Sequence, residues 1–446
     1  MQGRRSGGMR IGIMRGEKAA IIDAVKSVVV TPGAPLSGSV RVGGAKNSVL
    51  KLMAACLLAE GTHRITNVPA ISDVDTMAEV LEALGCSVSK PEVHTVVIEV
   101  PATSEINPEA PYELVERFRA SIVVLGPLLA RCAQVRISMP GGDDFGSRPI
   151  DFHLHGLGAM GVQFHADHGW VTGTVEHASK RLQGAHVVLE YPSHTATDNL
   201  VMAAVLAEGV TVIDNAAKEP EVEDLATMLV SMGAHIEGVG TSRLTIHGVS
   251  ELRPADHAVI PDRVVAATYL LAPALGEGQV RVVDAHREHM ETLLVKLRQM
   301  GLEVDESGEG IATTKISRLR AVDIATLPYP GVATDYKPFL VAALCLADGV
   351  SIVSENLFEG RFRYIDELRR MGADVRTEGH HAVIRGVERL SGATVKAPDI
   401  RAGAALVLAG MAADGETVIG GVEHIERGYD DLVGNLTRLG ASVQWR

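Results

Sequence analysis

Apolar and polar positions along this chain of 446 residues fall into two alternating periods. The segment 76–84 (ThrMetAlaGluValLeuGluAlaLeu) places Met77, Val80, Leu81 and Leu84 on one face and Glu79 and Glu82 on the other, which predicts an amphipathic helix. It stops at Gly85, and a run of alternating strand character follows. The same phrase recurs as MetGlyValGlnPhe (160–164), MetGlyAlaHisIle (232–236), MetGlyLeuGluVal (300–304), MetGlyAlaAspVal (371–375) and LeuGlyAlaSerVal (439–443). Its glycines, Gly85, Gly161, Gly233, Gly301, Gly372 and Gly440, are 68 to 76 residues apart. A second helix-Gly-strand phrase accompanies it at 57–62, 205–210, 345–350 and 411–416. The pattern predicts six copies of an α/β unit, grouped as two domains of three.

Composition narrows the class. With 46% hydrophobic and 22% charged residues, the chain can bury a large core and is not a disordered polymer. No apolar run reaches the roughly 18 residues of a membrane span, so a soluble protein is expected. A net charge of −13 and 4% aromatic residues argue against a nucleic-acid partner, since an acidic surface repels phosphate backbones and few rings are available for stacking. Cys56, Cys86, Cys132 and Cys345 are widely spaced in apolar runs, as expected of reduced thiols in a cytoplasmic protein. Residues 1–24 are positively charged but lack an apolar stretch. They are expected to be a disordered extension rather than a secretion signal, with Met9 and Met14 as alternative starts.

The spacing GxGxxG occurs at Gly156, Gly158 and Gly161, but within the helical phrase that stops at Gly161 and so not as a strand–turn–helix fingerprint. No GxxxxGK[ST] loop occurs, and HisArgGluHis (286–289) lacks the HExxH spacing of a metal helix, so no metal and no cofactor is expected. Instead, polar segments flanked by glycine interrupt the apolar pattern. GlyGlyAlaLysAsnSer (43–48) opens an apolar helix with Lys46, a cation at the end of the helix that prefers anions. ProGlyGlyAspAspPheGlySerArgProIleAsp (140–151) has the composition of a mobile functional loop. The segments 190–199 (GluTyrProSerHisThrAlaThrAspAsn) and 329–337 (TyrProGlyValAlaThrAspTyrLys) each precede a helix and admit either a simple cap or an anion site. Arg119, Arg361, Arg401 and Arg427 stand at element ends in a chain of opposite net charge, which suggests an anion pocket.

Taken in order, these segments, with AsnAlaAlaLysGluProGlu (215–221), ProAspArg (261–263), PheGluGlyArgPhe (358–362), AspIleArgAlaGly (399–403) and IleGluArgGlyTyr (425–429), resemble the UDP-N-acetylglucosamine enolpyruvyl transferases over about residues 25–446. The resemblance implies a two-domain inside-out α/β barrel, with 25–46 plus 261–446 as one domain and 47–260 as the other. It implies the substrates phosphoenolpyruvate (PEP) and a uridine nucleotide, an addition–elimination reaction, and a monomer. By motif, Lys46, Arg148 and Arg427 would hold PEP, with Arg361 and Arg401 adding charge. Asp335 would be the general base and Asp143 the acid. Asn47 would contact the sugar and Arg119 the phosphate side. Arg148, Pro149, Ile150, Asp151 and Phe152 would form a uracil-binding strip. Ser193, His194 and Thr195 would meet the nucleotide phosphates, and Leu357 belongs with the substrate-binding residues.

Three positions depart from the family pattern. Asp143 stands where most members carry Cys, SerHisThrAlaThr (193–197) replaces Ser-Val-Gly-Ala-Thr, and Lys337 replaces Gln. The last two fall on the acceptor side. They keep open an alternative acceptor, uridine monophosphate (UMP) or another uridine nucleotide, and a further alternative in which a non-catalytic paralogue only binds a UDP-sugar. His194 is expected to add a charge there. A carboxylate cannot form the stable thioether by which an epoxide drug traps a cysteine. The enzyme is therefore expected to resist fosfomycin: preincubation with the drug should leave the rate constant in time, and progressive inactivation would contradict the role given to Asp143.

Overall fold

Helices in this chain end where the repeated glycines stand. In the computed structural model, which describes residues 26–142, 149–358 and 360–446, Gly85, Gly161, Gly233, Gly301, Gly372 and Gly440 all have φ between +90° and +109°. Each closes a helix, namely Ser72–Ala83, Asp151–Ala159, Pro220–Ser231, Glu291–Met300, Ile365–Arg370 or Leu432–Arg438. A left-handed residue turns the chain sharply out of the helix, and only Gly adopts it without strain. The expected extension 1–24 lies outside the described residues, as do Asp143 and Arg148 of the loop 140–151.

The strand after each of these glycines forms an edge of a separate small sheet. Five sheets share one topology: a parallel outer strand, then an antiparallel run of three, as in Asp256–Ala258, Gly61–Thr66, Thr95–Val100 and Ser87–Glu92. The sixth has three antiparallel strands, with a parallel bridge from Glu109 to Arg136 where its fourth strand would lie. The described strands form open mixed sheets packed around buried helices, and no closed β-barrel occurs among them.

Two hydrophobic cores result. One gathers residues 28–42 and 264–443, the other residues 45–259. Each encloses three helices that are apolar nearly all round. In the first these are Arg263–Gly276, Lys337–Leu344 and Ile400–Met411. In the second they are Lys46–Ala55, Leu125–Cys132 and His194–Ala204. Such helices gain little from propensity and are held by burial on every side.

The chain passes between the cores twice, and the two passages pair. Gly44 bridges Pro261 antiparallel, the Ala45 amide donates to the Ile260 carbonyl at 2.7 Å, and the Asp262 amide donates to the Gly43 carbonyl at 2.9 Å. The passage is tight enough that a Cβ on Gly44 would sit 1.8 Å from the Asn67 carbonyl oxygen, whereas one on Gly43 would meet nothing within 4 Å. Gly44→Ala should therefore cost about 3 kcal/mol or more of unfolding free energy in urea titrations, while Gly43→Ala stays within about 1 kcal/mol of the parent. Equal effects would remove the steric account of the crossing.

Candidate active site

Helix N-termini from both cores converge on one cleft of about 590 Å³. Lys46 and Asn47 begin one buried helix there, His194 and Thr195 another, Arg263 and Val264 a third, and Arg401 a fourth, while Thr334 and Asp335 precede a fifth. The dipoles of these helix ends favour anions, and the net charge of the chain does not decide the local potential.

Asp262, from the second crossing, organises two of these helix starts. Its Oδ1 accepts from the amides of Val264 and Val265 at 2.7 and 3.0 Å, and its Oδ2 accepts from the Lys46 amide at 3.0 Å. The helix Lys46–Ala55 thus has no side-chain cap from its own segment. Ser48 instead donates to the buried Asp224 carboxylate. At Lys337–Leu344 the cap reading of 334–335 also fails. Helix entry is at Tyr336, and the Thr334 hydroxyl donates to Glu355 at 2.7 Å. Asp335 is thereby left to face the cleft. At 193–197 the cap reading holds, since Ser193 Oγ accepts from the Ala196 amide.

The floor of the cleft is a lattice of charges. Asp335 pairs with Arg361 at 2.6 Å and with Arg401 at 3.4 Å. Burial works to raise the Asp335 carboxyl, but the two guanidinium groups outweigh it and hold the group well below the usual carboxylate range. Lys46 Nζ lies 2.8 Å from Asp73, and Arg427 Nε is 2.9 Å from the other oxygen of the same carboxylate. Burial, with help from Arg427 and Arg401, draws the Lys46 ammonium below the ordinary lysine range against the pull of Asp73. Arg263 and Glu221 form a two-point buried pair at 2.9 and 3.1 Å.

Lys337, the departure from Gln, is fully buried behind this floor. Its Nζ lies 2.7 Å from Glu355, donates to the Arg361 carbonyl at 2.6 Å, and stands 3.9 Å above the Phe362 ring. Glu355 in turn accepts from Thr326, from Thr334 and from the amides of Leu357 and Phe358. The buried pair thus anchors the backbone that carries Leu357 and Arg361, and it sits beside the Thr334–Asp335 turn. Burial pulls the Lys337 ammonium down to about 8, with Glu355 opposing.

On another wall of the cleft, His153 Nδ1 meets the Asn199 amide at 2.8 Å and its Nε2 meets the Thr195 hydroxyl at 3.3 Å. His194 contacts Lys51, whose ammonium is 2.7 Å from the fully buried Asp198. Burial, and then the Lys51 charge, pushes His194 well below the ordinary histidine range, so it is neutral. The expectation that His194 adds a charge is corrected accordingly. Arg119 reaches the Pro149 carbonyl at 3.1 Å.

Of the sequence-derived site residues, Lys46, Asn47, Arg119, Pro149, Asp151, Phe152, Ser193, His194, Thr195, Asp335, Leu357, Arg361, Arg401 and Arg427 all line this cleft. Ile150 does not. Its side chain is 4% exposed and packs in the core of residues 45–259, because it is the apolar residue at the entry of the helix Asp151–Ala159. Asp143 and Arg148 lie outside the described residues. Sequence reasoning missed Asp73, Asp262 and Glu355. Asp73 looks like an ordinary acid in a first helical turn, and nothing in the sequence ties it to Arg427, 354 positions away.

A profile of the family described as EPSP synthase (3-phosphoshikimate 1-carboxyvinyltransferase) matches residues 30–436. The chain is 50% identical over 416 residues to the UDP-N-acetylglucosamine 1-carboxyvinyltransferase of Mycobacterium leprae (strain TN), covering 93% of this chain and 98% of that protein. It is 51% identical over 421 residues to the protein of the same name from Nocardia farcinica (strain IFM 10152), covering 93% and 97%. The crystal structure of the enolpyruvyl transferase NikO from Streptomyces tendae superposes with a TM-score of 0.83 at 26% identity, over 94% of this chain and 99% of that one.

His153 gives the site a pH signature. Burial, with the Arg119 charge second, pulls its imidazole from 6.5 down to about 3. Between those values the unfolded chain binds a proton that the folded chain refuses, so stability is complete above pH 6.5 and falls as pH drops. Lowering pH from 7 to 4.5 should remove roughly 2–3 kcal/mol through this group. Urea titrations at both pH values should show a smaller difference for His153→Gln than for the parent; an equal difference would show that His153 is not the group responsible.

Proposed function

The chain belongs to the EPSP synthase family of enolpyruvyl transferases, and on that premise we propose that it transfers the enolpyruvyl group of PEP to the 3-hydroxyl of UDP-N-acetylglucosamine, releasing phosphate. The observation that carries the proposal is the convergence of helix N-termini and of Lys46, Arg361, Arg401 and Arg427 on one cleft around Asp335. That arrangement suits a small polyanion beside a basic oxygen. The relatives at about half identity carry the same acceptor in their name. This is the first committed step of peptidoglycan synthesis.

The chemistry follows from the charges. In the free cleft Asp335 is neutralised by Arg361 and Arg401, and Asp73 by Lys46 and Arg427. PEP brings a carboxylate and a phosphate that compete for these cations. As they turn to PEP, Asp335 loses the partners that depress its basicity and becomes a competent acceptor for the 3-hydroxyl proton. The hydroxyl oxygen then bonds to C2 of PEP while C3 gains a proton, with Asp143 as donor. In the second half the C2–O bond to phosphate breaks, C3 gives up a proton, and an enolpyruvyl ether remains. The cations stabilise the charge that builds up on carboxylate and phosphate in both steps. Arg148 would complete the PEP clamp, Asn47 would hold the sugar, Arg119 the phosphate side, and Pro149, Asp151 and Phe152 the uracil.

We read the two cores as the two domains, 47–260 and 25–46 plus 261–446, each of three α/β units, with the cleft between them as in the family's inside-out architecture. The reading keeps the monomer that the resemblance implies. The four cysteines are free, which supports a reducing, cytoplasmic setting. No described helix is long and apolar enough to cross a membrane.

Phosphate release from PEP should require UDP-N-acetylglucosamine, and Asp335→Asn should lower kcat by roughly 100- to 10,000-fold while nucleotide binding persists. Turnover with UMP alone would move the acceptor to a nucleoside monophosphate. Nucleotide binding without any turnover would make the protein a sensor. Full activity in Asp335→Asn would remove the base assignment.

A further inference from the structure

Outside the catalytic cleft, the antiparallel pair His235–Glu237 and Arg243–His247 carries an arrangement that the transferase reaction does not use. The register sets His235 directly opposite His247 and Glu237 opposite Thr245. Side chains alternate across a sheet, so His235, Glu237 and His247 share one face. The intervening Ile246 is fully buried in the core and fixes the other face inward. The strand His235–Glu237 is the outermost of its sheet, and both it and the trio are open to solvent. The two imidazole rings stack at 4.4 Å with 18° between their planes. Glu237 Oε1 lies 3.4 Å from His235 Nε2 and 3.6 Å from His247 Nε2.

We propose that His235, Glu237 and His247 form a surface site for a divalent transition-metal ion of the zinc class. Zinc binds imidazole nitrogen and carboxylate oxygen at about 2.0–2.2 Å, so tetrahedral ligands stand about 3.3 Å apart. The two nitrogen–oxygen separations are already near that value, and all three ligand atoms lie within 4.8 Å of one another. Small side-chain rotations bring the rings together on one ion, and water completes the coordination sphere from the open side. Two imidazoles and one carboxylate favour zinc, nickel or copper over calcium or magnesium, which prefer all-oxygen sites. The rigid ladder preorganises the trio: two ligands come from alternate positions of one strand and the third from the position facing the first. Among the described residues this is the one group of three such ligands. None of the three lines the catalytic cleft, so the ion takes no part in the transfer reaction. Its effect is to pin the edge strand to its neighbour.

The test uses the full untagged chain, stripped with chelator, and zinc chloride alone as the probe. Calorimetric titration near neutral pH should show one dominant site, and His235→Gln/His247→Gln should weaken it by about tenfold or more. Zinc should raise the Tm of the parent and not of the double variant, because an ion that binds only the folded state stabilises it by mass action. Binding should be lost on acidification, since imidazole ligates only when neutral. Both substitutions are on an exposed face, so the metal-free Tm serves as the folding control. Unchanged zinc affinity in the double variant would assign binding elsewhere, for instance to the histidine pairs His286/His289 or His380/His381. That outcome, or no binding by the parent, overturns the site.

Discussion

The paired crossing of the chain between its two cores is the constraint on which the rest of the structure depends. Two short segments, 43–45 and 260–262, lie side by side and satisfy each other's backbone groups. They deliver the starts of two buried helices, one in each core, to the same place, and Asp262 caps both with its two carboxylate oxygens. A helix end buried without partners would leave several amides unpaired at considerable cost. By serving both starts, one carboxylate couples the positions of Lys46 and Arg263 across the boundary between the cores. The close approach at Gly44 follows from the same geometry.

Electrostatics then explains why so many charges can be held in a protein this apolar. Each buried cation of the cleft described here has a carboxylate within reach: Lys46 and Arg427 share Asp73, Arg361 and Arg401 share Asp335, Arg263 holds Glu221, and Lys337 holds Glu355. Pairing is what makes burial tolerable, and sharing one carboxylate between two cations leaves the floor with net positive charge. A polyanion entering such a floor finds buried cations already gathered and competes with Asp335 and Asp73 for them. Asp335 differs from the other acids in one respect: 24% of its side-chain surface is open to the cleft, so it can change partners, whereas Glu221 and Glu355 are sealed behind it.

The acceptor-side departures fit into the existing frame. Lys337 keeps its polar head on Glu355 and the Arg361 carbonyl, which supports the loop beneath Leu357 and Arg361. Thr195 turns its hydroxyl to His153, and His194 is absorbed as a neutral ring beside Lys51. These changes alter how the wall is supported, and the ammonium that Lys337 brings is held by Glu355.

What the sequence determined by itself is what local chemistry determines. The six Leu-Gly or Met-Gly phrases marked helix ends because a left-handed residue after an amphipathic helix has few alternatives to Gly, and the structure has a helix stop and an edge strand at each. Polar phrases such as GlyGlyAlaLysAsnSer and AspIleArgAlaGly were legible as site segments because a cation or carboxylate at the start of an apolar helix is conspicuous. Partnership was not legible. Nothing local says that Asp262 caps the helix of Lys46, that Asp73 joins Lys46 to Arg427, that Thr334 serves Glu355 rather than a helix cap, or that Ile150 turns into the core. These pairings link positions up to 354 residues apart, and each depends on burial, which sets how strongly two charges interact and whether an imidazole such as His194 carries one. Distance in space and exclusion of water exist only once the chain has folded, so only the tertiary structure decided them.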